Sequence, residues 1–333
     1  MAGSMITCEN VWKVYGPPYV PGEEPTDAHV VALKAANFTI KKGECFVIMG
    51  LSGSGKSTLV RCLTRLIEPS EGRINVADND VTGASPKQLM EIRRKVMGMV
   101  FQNFALLPHL TVLENVAFPL SVRGVDMKTR TSKARELVKT VGLAGRENHF
   151  PSELSGGQQQ RVGIARALSS EPEVLFMDEP FSALDPLLRR ELQDEFIRLR
   201  HELKKTIVFI THDFDEAIRL ADRIAIMRNG EILEIGTPEQ LVIHSKHPYV
   251  TEFTRHCDRS SVLRARTLAR PLRANFEPSV SVDGNELVAD VAAKVLGGRE
   301  DAGVLVDGKL TGILTKGDVI ASLTGKPIEL EAV

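Results

Sequence analysis

The amino-acid sequence predicts an α/β chain in two parts: a large domain built on a buried, largely parallel sheet, and a small α+β module towards its carboxyl end. Three observations carry this. The runs Cys45–Met49, Val174–Met177 and Thr206–Ile210 are almost wholly apolar, as expected of strands buried on both faces. The first of them ends abruptly in Gly50-Leu-Ser-Gly-Ser-Gly-Lys-Ser57, a turn rich in glycine, and a helical pattern follows. Composition then shifts near Pro248, and from Asn275 a pattern of strands and helices restarts.

Taken in order, Ile6–Tyr15 alternates and reads as a strand. Gly16–His29 holds four prolines and two glycines and reads as an exposed loop. Val30–Ile40 and Glu44–Met49 are strands around the Lys41-Lys42-Gly43 turn, and the helix after the glycine-rich turn spans Thr58–Leu66. The stretch from Thr111 to Leu168 is mostly helical in pattern. A helix follows from Pro186 to Leu203, where Leu192, Phe196, Leu199 and Leu203 form one apolar stripe. The strand Thr206–Ile210 ends at Thr211-His212-Asp213, and a hairpin over Arg223–Ile235 turns at Asn229-Gly230. Six arginines and one acid lie between Arg255 and Arg273. Beyond them come a helix (Glu286–Leu296), two strands (Gly303–Val306, Leu310–Leu314) and a last helix (Asp318–Leu323). The expected division is therefore a domain over 1–245, an Arg-rich linker over 246–275 and a module over 276–325.

Lys plus Arg is 42 and Asp plus Glu is 43, a balance that argues against a nucleic-acid partner. No apolar run approaches the ~18 residues that span a bilayer. The start MAGSMITCEN lacks a basic-then-apolar leader pattern, so no membrane span or leader is expected. The four cysteines are scattered without a Cys-x-x-Cys pair and read as free thiols rather than a disulfide framework or zinc site.

The chemistry concentrates at strand ends. Gly50–Ser57 fits G-x-x-x-x-G-K-S between a buried strand and a helix, the context of a phosphate-binding loop. Backbone amides of Gly50, Ser52, Gly53, Ser54 and Gly55 would curl around phosphates, with Thr58 in the first helical turn. Lys56 would neutralise phosphate charge and the Ser57 hydroxyl would ligate Mg²⁺. At the end of Val174–Met177 stand Asp178 and Glu179. Adjacent carboxylates are costly unless a cation sits between them, so Asp178 is expected to hold Mg²⁺ through water and Glu179 to direct the attacking water. Leu154-Ser-Gly-Gly-Gln158 opens another helix, where Ser155 and the Gly156 and Gly157 amides make a second anion site.

With this segment the sequence resembles the ATPase subunits of ATP-binding cassette (ABC) transporters over about residues 5 to 245. The motifs stand in that family's order: Tyr15, the phosphate loop, Gln102, Leu154–Gln158, Asp178-Glu179, Ser182-Ala-Leu-Asp185 and His212. The resemblance implies an ATP-hydrolysing P-loop fold with an antiparallel β-subdomain and a helical subdomain. It implies ATP and Mg²⁺, with Glu179, His212, Gln102 and Lys56 catalytic, and Gln102 also near the metal. It further implies a head-to-tail dimer in which Ser155–Gln158 and Asp185 of one copy close over the other's ATP. Tyr15 would stack on adenine, with Tyr19 and Trp12 as alternatives.

The stretches FVIMGLSGSGKSTLVR, MVFQNFALLPHLTVLENVAFPL, FSALDP and KKTIVFITHDFDEA resemble ATPase subunits of glycine betaine and proline betaine importers. Relatives for choline, carnitine or amino acids share most of these residues, and a non-transport ABC ATPase is the remote alternative. The resemblance implies a separate integral membrane permease, contacting the apolar segment after Gln102, and indirectly a solute-binding protein. It places the chain peripherally on the cytoplasmic face of the inner membrane. Residues 276–325 resemble one cystathionine-β-synthase (CBS) regulatory module, where such modules normally come in pairs, so pairing across two chains is expected. The arginines read as a solvated linker face, or as a patch for anionic lipid.

Overall fold

A computed structural model describes residues 3–255, 257–273 and 276–324. Asn275 and Gly325, at the expected edges of the linker and module, lie outside the described residues, as does the side chain of Leu203. The chain divides into two compact units, Met1–Ile235 and Gly236–Val333.

The first unit opens with two long strands, β1 (Ser4–Tyr15) and β2 (Val30–Lys41), paired antiparallel. The Lys41-Lys42-Gly43 turn then passes the chain to a different sheet, where β3 (Cys45–Met49) is buried throughout. After α1 (Lys56–Leu63) come β4 (Glu71–Val76) and β5 (Asn79–Asp80), which complete an antiparallel sheet in the order β2-β1-β4-β5. Next are α2 (Pro86–Lys95), opened by a Ser85–Gln88 capping box, and β6 (Met97–Val100).

Three helices follow: α3 (Val112–Val122), α4 (Met127–Thr140) and α5 (Gly156–Ser169). They bury their own core of Val112, Val116, Val138, Leu154 and Val162. The chain then returns through β7 (Val174–Asp178), α6 (Pro186–Leu203), β8 (Thr206–Thr211) and α7 (Phe214–Leu220). It ends the unit with β9 (Arg223–Arg228) and β10 (Glu231–Gly236).

The second sheet runs β10-β9-β3-β8-β7-β6, with β9, β3, β8, β7 and β6 mutually parallel. A parallel sheet brings all its carboxyl ends to one edge, which is where ligands gather in such folds. The two sheets share a core in which Phe38 and Phe46 stack at 5.3 Å, packed with Ile48, Leu59 and Ile74. The stripe expected on α6 is real: Leu192, Phe196 and Leu199 are buried.

The second unit holds α8 (Pro238–Ile243) and α9 (Pro248–Thr254), then β11 (Ser281–Asp283), α10 (Val288–Gly297), β12 (Ala302–Val306), β13 (Lys309–Leu314) and α11 (Lys316–Leu323). The strand-helix-strand-strand-helix order is the one the sequence predicts. The Arg-rich stretch expected as a linker packs inside this unit. Val262, Leu263 and Leu268 are buried, and the Ala265 amide donates to Glu286 O at 2.9 Å. Arg270 exchanges backbone hydrogen bonds with Ile313, and its guanidinium grips Asp318 through two contacts of 2.8 Å. Arg264 and Arg266 both donate to Asn285, at 2.5 and 2.7 Å. One of these arginines thus meets a carboxylate and two are held by a neutral asparagine, all within the unit.

Candidate functional site

The loop after β3 can curl because three of its residues lack a Cβ, and at two of them a Cβ would collide with backbone. At Gly50 a Cβ would stand 2.3 Å from Met227 O, and at Gly55 one would meet Ala32 O at 2.5 Å. Gly55 has φ +102° and precedes α1, so its backbone is one that side chains disfavour. Lys56 begins the helix, almost fully buried, and its ammonium donates to Gly50 O (2.8 Å) and Leu51 O (3.0 Å). Burial lowers its pKa. Ser54 Oγ is buried and has no hydrogen-bond partner among the described residues, a deficit that an anion's oxygen would remove. Ser52 and Gly53 stand exposed at the tip, and Thr58 is half-buried in the first turn of α1.

Beside this loop, Asp178 ends β7 and is buried; desolvation raises its pKa against the pull of the Ser57 hydrogen bond. That bond, Ser57 Oγ to Asp178 Oδ1, is 3.0 Å. Glu179 follows in a left-handed conformation (φ +44°), with its amide on Ile210 O. Its carboxylate lies between the start of α1 and the end of β8, Oε1 at 3.9 Å from Lys56 Nζ and Oε2 at 3.1 Å from His212 Nδ1. Gln102 is exposed two residues past β6, which pairs with β7 at Val100↔Met177, and so shares this edge.

Five residues from three distant places in the chain therefore meet: Lys56, Ser57, Asp178, Glu179 and His212. Among the described residues no group of three or more His, Cys, Asp or Glu could hold a metal unaided. A hydroxyl and an under-compensated carboxylate are hard oxygen donors of the kind Mg²⁺ takes when phosphates complete its shell. The residues fit that ion.

Leu154–Gln158 lies elsewhere on the unit. Ser155 caps α5, its Oγ accepting from the Gln158 amide at 3.4 Å while Gln158 Oε1 accepts from the Ser155 amide at 3.0 Å. Gly157 is buried where a Cβ would come within 2.6 Å of Leu188 Cδ2, and a Cβ at Gly156 would touch Leu184 at 3.4 Å. Asp185 caps α6 by accepting from the Leu188 amide at 3.1 Å. The segment does not meet its own chain's phosphate loop in any hydrogen bond of the described residues.

The ABC transporter family profile matches residues 33–182. The trimethylamine N-oxide transport system ATP-binding protein TmoW of Pelagibacter ubique is 49% identical over 89% of this chain and 90% of its own length. The glycine betaine transport ATP-binding protein OpuAA of Bacillus subtilis is 49% identical over 86% of this chain and 68% of its own. Among solved structures, the ATP-binding cassette MJ0796, dimeric in a post-hydrolysis state with ADP and Pi, is 37% identical. It covers 70% of this chain and 98% of its own, with a TM-score of 0.62. The chain belongs to the ATP-binding subunits of ABC transporters.

As an ABC ATP-binding subunit it couples ATP hydrolysis to transport. Among the described residues no helix is long and apolar enough to cross a membrane. The three aromatic candidates for the adenine differ in setting. Tyr15, last in β1, is 39% exposed, with Lys13 Nζ 4.8 Å from its ring centre. Its neighbours place it by the loop: Tyr15 pairs with Val30, while Leu33, which pairs with Lys13, lies against Gly55. Tyr19 is turned edge-on to His29 at 6.0 Å, and Trp12 donates to Asn10 Oδ1 at 3.1 Å.

The apolar segment after Gln102 is organised by two residues that sequence reasoning passed over. Buried Asn115 donates to Leu107, Leu110 and Thr111 carbonyls and accepts from the Leu107 amide. Arg166 donates to Ala105 O and Phe104 O across 2.5 and 2.9 Å. Phe101, Leu107, Phe118, Pro119 and Val122 then line an open groove of about 320 Å³. Both residues act mainly on backbone groups of an irregular segment, Arg166 from about sixty residues away, which leaves no signature in composition.

Proposed function

We propose that this subunit drives import of a small compatible solute of the glycine betaine and proline betaine kind through a separate membrane permease, whose cytoplasmic portion seats on the groove of Phe101, Leu107, Phe118 and Val122. The convergence of Lys56, Glu179 and His212, joined by an ion pair on one side and a hydrogen bond on the other, carries the reading. Tyr15 supports the adenine. Backbone amides of Gly50–Gly55 and the Lys56 ammonium take the phosphates, and buried Ser54 Oγ gains a partner. Ser57 and Asp178 hold Mg²⁺, with Gln102 alongside; the ion supplies neutralisation of phosphate charge. Glu179 orients or deprotonates water, and His212, hydrogen-bonded to it, sets the direction of both. Ser155–Gln158 and Asp185 act on a second copy's nucleotide, completing each site in a head-to-tail pair. The subunit would then sit peripherally at the cytoplasmic face of the membrane, with a solute-binding protein delivering cargo outside. The β-α-β-β-α module of the second unit serves as a CBS-like regulator.

A second solute reading is favoured by the extent of the TmoW match, 90% of that protein's length: an amine oxide, polar and compact like a betaine. Uptake of labelled glycine betaine and trimethylamine N-oxide in cells carrying either the wild-type chain or Glu179→Gln separates them. We expect betaine uptake with the wild type and a loss of at least about 100-fold with the variant, which still binds ATP. Uptake of the N-oxide alone selects the second reading; undiminished uptake by the variant overturns the assignment of Glu179.

A further inference from the structure

The loop from Glu179 to Asp185 joins the hydrolytic cluster to the surface that a second copy would meet. Its own bonds are few. The Ser182 amide and hydroxyl turn back on Glu179 O, at 3.3 and 2.9 Å, and the Leu184 amide reaches Phe181 O at 3.2 Å. Arg189, one turn into α6, supplies the remainder. Its Nε donates to Phe181 O at 3.2 Å, and Nη2 donates to Leu184 O at 3.1 Å and Ser182 O at 3.5 Å. Its Nη1 faces Asp213 Oδ2 at 3.7 Å. Asp213 directly follows His212 and caps α7 by accepting from the Glu216 amide at 3.1 Å.

A cation so close to a helix amino terminus opposes the helix dipole, so nothing in α6 itself favours an arginine there. The guanidinium is instead satisfied by the loop on one side and by the residue next to His212 on the other. We infer that Arg189 is a positioning residue for hydrolysis: it holds the Phe181–Leu184 loop and the His212 loop as one piece, so that displacement of the first by a second copy moves the second. The inference rests on the function proposed above and adds a residue to it.

The test uses the full-length chain and ATP titrations of hydrolysis for the wild type, Glu179→Gln, Arg189→Gln, Arg189→Lys, Asp213→Asn and the Arg189→Gln/Asp213→Asn pair. Asparagine can keep the α7 cap through its oxygen while an NH₂ group replaces the charged oxygen that faces Arg189. Arg189→Gln is expected to lower kcat about tenfold with KM for ATP within about twofold, and lysine to restore less than half of the loss. Asp213→Asn is expected to lower kcat severalfold with Tm within about 2 °C of wild type. The double variant should be no slower than Arg189→Gln alone. Single variants at near wild-type kcat, losses that multiply in the double variant, or losses that track Tm or KM overturn the inference. Should Arg189→Gln fail to fold, the Arg189→Lys and Asp213→Asn pair carries the same cycle. An active Glu179→Gln would instead sink the underlying reading.

Discussion

Asp178 and Lys56 are buried ionic groups, and burial displaces their pKa values in opposite directions, upwards for the acid and downwards for the base. In each case the charged form is penalised, so both groups cost stability at neutral pH until a ligand of opposite charge arrives. Nucleotide with its cation favours ionised Asp178 and protonated Lys56. Affinity is therefore expected to fall in acid from above the ordinary aspartate range, and in alkali from below the ordinary lysine range. Calorimetry in buffers of differing ionisation heat should register proton release on the acid side and uptake on the alkaline side; a flat profile would contradict the assignment. These residues were legible because covalent spacing alone fixes Gly50–Ser57, and because an acidic pair at the end of an apolar strand has few structural uses. Arg166 was not legible, since its carbonyls lie about sixty residues away in the chain, and Arg189 and Asn115 were not, since each serves the irregular backbone of a nearby loop whose path no residue pattern announces.

At the scale of elements, apolar runs identified the buried strands β3, β7 and β8, whose two covered faces admit little else. The stretch 71–100 gave no such signal: β4 reads Glu-Gly-Arg-Ile-Asn-Val, and its pairing with β1 depends on register rather than composition. The arginines between 255 and 273 misled for a related reason, because charge count says nothing of partners. Burial alone would raise the Asp318 pKa, but hydrogen bonds from Arg270 and Thr315 bring it below the usual carboxylate value. A depressed carboxyl contributes stability above its unfolded pKa and loses it as pH falls through the folded one. Arg270 is 39% exposed and Asp318 7%, so the pair stands between a surface bridge and a buried one. Arg270→Gln is expected to destabilise the second unit by about 2 kcal/mol, faster hydrogen exchange in α11 being the readout, and the difference should shrink in acid. Unchanged exchange would mean that the pair is solvent-screened.

For the molecule as a whole, the division after Ile235 gives a truncation experiment its proper boundary. A chain ending at Arg273 keeps Val262, Leu263 and Leu268 but loses the Glu286, Ile313 and Asp318 contacts that hold their segment. That version is expected to aggregate, whereas one ending near Gly236 should retain basal ATP hydrolysis, compared by light scattering and phosphate release. Loss of hydrolysis in the shorter chain would make the second unit part of the engine rather than its regulator. One feature of α5 bears on how such an engine resets. Ser155 and Gln158 spend their hydrogen bonds on each other's amides in the single chain. On the function proposed above, these mutual bonds can persist while the Ser155 hydroxyl hydrogen and the Gly156 and Gly157 amides donate to a second copy's nucleotide. A clasp whose frame is already set before contact orders little on closing, and it can be remade at every stroke.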